Sequence, residues 1–387
     1  MFELNCNWDD REIERRKQRI RDVWTYRRVD HIPINLSVWS NPNEYTTRDY
    51  LKDAEKNLDI ALRSLQKSIE LIPDDYIPVL KPDKGYPIIA QIYGAPITWG
   101  YDPDQWPGIA VKLIESIDDM VQIQKPNVYE DGWGPELRTR MQMFRYVARD
   151  RIYLTGYDIA GPLVIANDLT DTNLLLLSIK ENPETLHHLL KKLTETYNEF
   201  ARMIVEAAGG LDNMTCVHWD TLWAPEGQKG YIADDIAAMI SADDYDAFCK
   251  TYNNIHFAEY GGGTIHNCGP HHMADRYLTH DPPVRAINID YEKGVDEFER
   301  IGKLFAGKGI VSVIFPDLRA LTVGLPPAEL MIEYYKRMIE AFLPGTIGIP
   351  TYFINDAEYS DEEIVEIYHE MRKLSIDYAN NLQWPNS

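Results

Sequence analysis

Apolar and polar positions along this chain settle into a regular rhythm from about residue 152 onward. Short apolar runs of strand length alternate there with longer stretches whose apolar residues recur at helical spacing. The predicted strands are 152–157, 213–220, 263–268, 286–290, 310–315 and 346–349. The predicted helices are 182–208, 232–240, 243–259, a turn after Pro270, 295–305, 326–342 and 360–380. Upstream, Asp9 and Asp10 cap a charge-rich helix ending near Trp24, and residues 32–38 alternate with period two as a strand. Leu51, Ala54, Leu58, Ala61, Leu65 and Ile69 then repeat at helical spacing through 50–72, and short apolar runs follow at 76–80 and 88–93.

Residues 94–134 interrupt this order with many glycines and prolines and with Trp99, Trp106 and Trp133. The stretch reads as a long excursion over one end of the domain, with a short helix near 118–124. Such loops serve as binding loops or lids, and equally as packed surface insertions. Strand followed by helix, about eight times with no linker between, predicts a parallel sheet closed into one (β/α)8 TIM-type barrel over 1–387. Residues 1–27 form an N-terminal helical extension of that barrel, and 94–134 the aromatic-rich insertion.

In such a barrel the active groups sit at the C-terminal ends of the strands. One end stands out, Gly261-Gly262-Gly263-Thr264-Ile265-His266-Asn267-Cys268-Gly269-Pro270. Residues i and i+2 of a strand share a face, so His266 and Cys268 project together, and an imidazole with a thiolate suits zinc. The plainer alternative is a core cysteine beside a loop histidine. Asp220 ends the strand before and Asp290 the strand after; each is a candidate catalytic carboxylate, and Asp290 also a third metal ligand or a group orienting His266. A helix cap or a solvated loop is the alternative for Asp290. His218 and Trp219 beside Asp220, and Tyr157 at the end of 152–157, are candidate substrate-binding residues. His271 and His272 are read as capping the next helix.

Composition narrows the classes. A net charge of −22 argues against nucleic acid and against anionic membrane surfaces as partners. No apolar run is long enough to cross a bilayer. Cys6, Cys216, Cys249 and Cys268 make no disulfide framework, and the first residues lack the pattern of a signal peptide, so a reducing cytoplasm is expected. Nucleotide-binding glycine motifs and a serine nucleophile elbow are absent from the sequence. The 24 tyrosines and 9 tryptophans suit a pocket for a planar ligand as well as ordinary packing.

Three stretches together resemble the uroporphyrinogen decarboxylase superfamily, which includes zinc-dependent corrinoid methyltransferases. They are Arg28–Ile34, Gly161–Ala166 with Asn182–His187, and Gly262–Gly269, and the resemblance spans roughly residues 10–380. It implies zinc on His266 and Cys268, Asp290 near the place of a metal-binding glutamate, and methyl transfer with a corrinoid (cobalamin) carried by a separate protein. Two departures refine it. Leu36–Pro42 holds no arginine, where the decarboxylases grip porphyrin carboxylates with arginines, and no cysteine follows Cys268, where the methyltransferases supply another near the last strand. The expected activity is methyl transfer between a small molecule, donor or acceptor, and the cobalt of a corrinoid protein. A methoxylated aromatic is the favoured substrate, with O-demethylation the reaction. The alternatives are a decarboxylase-like lyase acting on a non-porphyrin carboxylate and a methylcobalamin:thiol methyltransferase. Oligomeric state is open, a homodimer included.

Overall fold

The computed structural model describes residues 2–5, 7–315 and 327–384. Among the described residues ten strands follow one another: β1 (Asn35–Trp39), β2 (Val79–Leu80), β3 (Ile97–Thr98), β4 (Gly108–Ile109), β5 (Tyr153–Leu154), β6 (Gly230–Ala233), β7 (Gly263–Asn267), β8 (Val284–Asp290), β9 (Ile310–Ile314) and β10 (Ile347–Asn355). Six form one parallel sheet in the order β1-β10-β9-β8-β7-β6. Their side chains are buried almost throughout, as expected of parallel strands covered on both faces. The other side of the barrel is thinner. β2 pairs in parallel with β5, Leu154 bridges to Met214, and Ala160 bridges to Ala233 of β6. The segment from Met214 and β6 thus share one position, which brings the ring of this TIM-type barrel to eight. Among the described residues no ladder joins β1 to β2.

Glycine explains the close approach of β6 and β7. A Cβ on Gly263 would lie 1.9 Å from the Gly230 carbonyl oxygen, so the run at 261–263 is a packing requirement before it is anything else. Gly261 also ends the helix Thr251–Tyr260 at φ +80°. Other helices begin where their caps predict: Asp53 accepts from the amides of Glu55 and Lys56, and Ser360 with Glu363 forms a capping box. The N-terminal helix Asp10–Trp24 ends at a small cavity that Trp24 lines together with Cys216, Tyr231 and Thr264. The aromatic-rich excursion carries the β3–β4 hairpin and the helix Ile117–Gln122, and Arg48 ties it down through the Pro103 carbonyl.

Several sequence expectations need correction. The strand expected over 213–220 does not form as a ladder, because its backbone bonds are divided: Thr215 donates to Leu154, Val217 to Lys229, and His218 accepts from Gly156. The helix expected over 232–240 is instead β6 followed by a 3-10 turn, Asp235–Met239. Its apolar start is buried on both faces, a pattern that helix and parallel strand share over so short a run. The apolar run at 88–93 is a helix, Ile88–Ile92, entered from Pro87. Helices Gly134–Ala148, Pro162–Leu169 and Thr172–Glu181 were not anticipated. Pro326, the expected start of the penultimate helix, lies outside the described residues, and that helix runs Pro327–Phe342.

Candidate metal centre

β7 presents His266 from its buried end, and the chain then brings Cys268 back beside it: His266 Nε2 lies 3.3 Å from Cys268 Sγ. The third group comes from β6. Past that strand, Asp234 is held inward by its amide bond to the His266 carbonyl and by Asn253 on its carboxylate, which leaves Asp235 outside over the cluster. Asp235 Oδ1 accepts from the Cys268 amide at 2.7 Å and stands 3.7 Å from His266 Nε2. One ligand atom from each of Asp235, His266 and Cys268 lies within 4.8 Å of the others. Ligands at zinc bond lengths of about 2.0–2.3 Å, placed tetrahedrally, are about 3.3–3.8 Å apart. The two His266 distances match that spacing, and the nitrogen, sulfur and oxygen donors match the ion.

The far nitrogen of His266 is equally constrained. Nδ1 lies 2.7 Å from Asn288 Oδ1, and Asn288 Nδ2 donates to Ser312 Oγ at 3.0 Å. With the amide nitrogen facing Ser312, the oxygen faces the imidazole, so Nδ1 keeps its proton and Nε2 is the nitrogen that can release its own to a metal. Ser312 Oγ continues to Thr351 Oγ1 at 2.9 Å, which accepts from Asn35 Nδ2 at 3.2 Å. A polar belt therefore crosses β7, β8, β9, β10 and β1 inside the barrel. Electrostatics favour positive charge at its end. Burial opposes protonation of His266, but the Cys268 sulfur and the Asp235 carboxylate outweigh it and raise the pKa to about 9.

The mouth around this cluster is acidic and aromatic. Asp220 is 3% exposed and accepts from the Leu222 amide, and burial raises its carboxyl to about 6. The Trp219 ring meets His266 edge-on at 6.4 Å between centroids. His218, by contrast, is fully buried, bonded through Nε2 to the Ile159 carbonyl and stacked on Tyr231; burial keeps it neutral. Tyr157 is a core residue with its hydroxyl on the Leu137 carbonyl. Both lie behind the mouth wall because alternation turns Trp219, not His218, toward the opening. Asp290 does end β8, but its carboxylate accepts from the Lys293 amide and caps the next turn, so Asp235 completes the three-residue group in its place. His271 is fully buried and His272 bonds to the Ile240 carbonyl; neither side chain caps the short helix Ala274–Tyr277.

Sequence reasoning missed Asp158 and Asp235. Burial pushes the Asp158 carboxyl up to about 6, with Lys81 acting against it, and it stands 3.6 Å from His218 Nε2. Its position directly after the strand candidate 152–157 was the available signal. Asp235 carried none, because its segment read as helix.

The uroporphyrinogen decarboxylase (URO-D) family profile matches residues 17–311. The chain belongs to that family. No curated protein sequence matches it. Among solved structures, a methyltransferase from Methanosarcina mazei is similar at TM-score 0.67 and 16% identity, covering 93% of this chain and 98% of that one. A GH26C protein from Muricauda sp. covers 94% of this chain and 95% of its own at 12% identity, but its TM-score of 0.44 is too low to argue from. At these identities the comparison with the Methanosarcina protein establishes a shared barrel, and URO-D membership rests on the profile match.

Proposed function

We propose that this URO-D family member is a zinc-dependent methyltransferase that moves a methyl group between a small molecule and the cobalt of a separate corrinoid protein. The favoured donor is a methoxylated aromatic. The observation that carries the reading is the meeting of Asp235, His266 and Cys268 at the strand ends, with His266 Nε2 turned to the cluster. The barrel likeness to a protein named a methyltransferase supports it. Zinc held by these three residues would act as a Lewis acid on the ether oxygen, a role that suits a site with a single thiolate.

The chain's own groups supply the rest. Trp219 walls the cluster and offers a face for a planar ring. In the forward direction the carbon–oxygen bond would break as the methyl group passes to the partner's corrinoid, leaving its electron pair on oxygen. Asp158, its carboxyl raised to about 6 by burial, is the group that would give that oxygen a proton.

Two measurements test this. Protein purified without chelator should hold about one zinc per chain, and Cys268→Ser should lose it while remaining folded. Reduced corrinoid protein mixed with the enzyme and methoxylated aromatics should develop the absorption spectrum of methylated cobalt. Carbon dioxide release without methyl transfer would favour the lyase, and methylation of a thiol by supplied methylcobalamin alone would reverse the direction.

A further inference from the structure

Cys268 lies one residue beyond β7, in a turn that runs to the short helix Ala274–Tyr277. Side chains, not a strand ladder, take up the amides at the start of that turn. The Cys268 amide goes to Asp235, and the Gly269 amide to Asn267 Oδ1 at 2.7 Å. Asn267 is itself tied through Nδ2 to the Tyr277 hydroxyl at 2.9 Å. Pro270 has no N–H to give. The next amide, that of His271, donates to Glu297 Oε1 at 2.7 Å, and the His271 carbonyl accepts from Arg300 at 2.6 Å. Arg300 also bonds to the other carboxylate oxygen of Glu297, which closes a ring. One residue's N–H and C=O are thus held by the two ends of one ion pair.

The platform behind the pair is firm. Glu297 stands at the N-cap of the helix Phe298–Phe305, whose Phe298, Ile301 and Phe305 are buried in the core. Burial works against charge on Glu297, but the His271 amide and Arg300 outweigh it and hold its carboxyl below the usual range. The His271 ring fills the space on the other side of the turn. It is fully buried, and a Cβ on Gly269 or on Gly294 would come 3.2 Å from its Nε2.

Resting on the zinc centre proposed above, we infer that Glu297 and Arg300 are positioning residues for it: they pin the turn at His271 and so hold Cys268 Sγ at ligand distance from His266. They act through the backbone from His271 back to Cys268. Hydrogen bonds to charged groups are the stronger ones, and here both reach main-chain atoms of the same residue. A turn released from them would have to be ordered by the metal itself, and that ordering cost comes out of the affinity.

The experiment compares zinc affinity in the full chain, by competition with a chromophoric chelator, for wild type, Glu297→Ala, Arg300→Met and Arg300→Lys. Glu297→Ala and Arg300→Met should each weaken zinc by about 10- to 100-fold, as the loss of groups supporting metal ligands does. Arg300→Lys, which still offers an N–H to the His271 carbonyl, should recover most of that loss. Hydrogen exchange in the metal-free protein gives a readout that needs no ion. Exchange at 268–273 should quicken by at least about 10-fold in Glu297→Ala and Arg300→Met, with β7 and the helix Phe298–Phe305 as protected as in wild type. A lowered unfolding midpoint with zinc affinity unchanged would make the pair purely structural and overturn the role, as would Arg300→Lys binding zinc no better than Arg300→Met. Zinc held equally by wild type and variants removes the role alone. A wild-type chain that binds no zinc removes the metal-centre reading and the role with it.

Discussion

A single hydrogen bond, Asn288 to His266 Nδ1, decides which imidazole nitrogen faces the cluster. Asn288→Ala should therefore weaken zinc binding by about 10- to 100-fold, as losses around ligated histidines do, with His266 and Cys268 both intact. Competition with a chromophoric chelator measures it. The two aspartates divide in the same assay: Asp235→Ala should lose the metal, whereas Asp290→Ala should keep it and lose about 1 kcal/mol of stability with its cap. The reason sequence favoured Asp290 is visible in the register. β8 is the neighbouring strand, but His266 pairs with Asn288, two residues short of the carboxylate. His266 and Cys268 were legible because i and i+2 is a local relation; the bond from Cys268 back to Asp235 spans 33 residues and joins the ends of neighbouring strands. Asp220 adds a pH effect. Its folded carboxyl, near 6, lies above the ordinary 3.8, so the folded form binds the extra proton and its ionisation costs stability as pH rises from about 4 to 6. In metal-free protein Asp220→Asn should then be more stable than wild type at pH 8 by on the order of 1–3 kcal/mol, and equal to it below about pH 4 in urea titrations.

Among the elements, the wall is uneven. Its strong side, β7 to β1 through β10, was readable because each strand is an apolar run set off by glycine or a helix, whereas β6 read as the start of a helix. Its weak side was legible only in part: the strand expected over 152–157 holds β5 and the run at 76–80 holds β2, but each ladder is two residues long and the Met214 segment shares its bonds between neighbours. No local pattern encodes a stave made of single bonds to two partners. Gly156 is the point where this side depends on one residue: a Cβ there would fall 2.2 Å from the Val217 carbonyl oxygen. Gly156→Ala must displace Val217 and, behind it, the segment carrying His218, Trp219 and Asp220. The expected cost is about 1–3 kcal/mol of stability by denaturant unfolding, together with a red-shifted tryptophan emission as Trp219 loses its packing. An unchanged midpoint would mean that the segment adjusts freely.

For the whole molecule, the core is large and the metal ligands lie at its edge. Chelation should leave the far-UV circular dichroism of the barrel unchanged and lower the midpoint only by the binding free energy of the ion. None of the described helices is long and apolar enough to cross a membrane. The polar belt behind His266 has one further consequence. His266 Nδ1 gives its proton toward Asn288, and Asn288 gives one to Ser312. These two dipoles point the same way, so the second strengthens the first and electron density is pushed back through the ring to Nε2. The barrel wall thus works as an inductive substituent on its own ligand. Basicity at the metal-facing nitrogen is set partly by a hydroxyl two strands away.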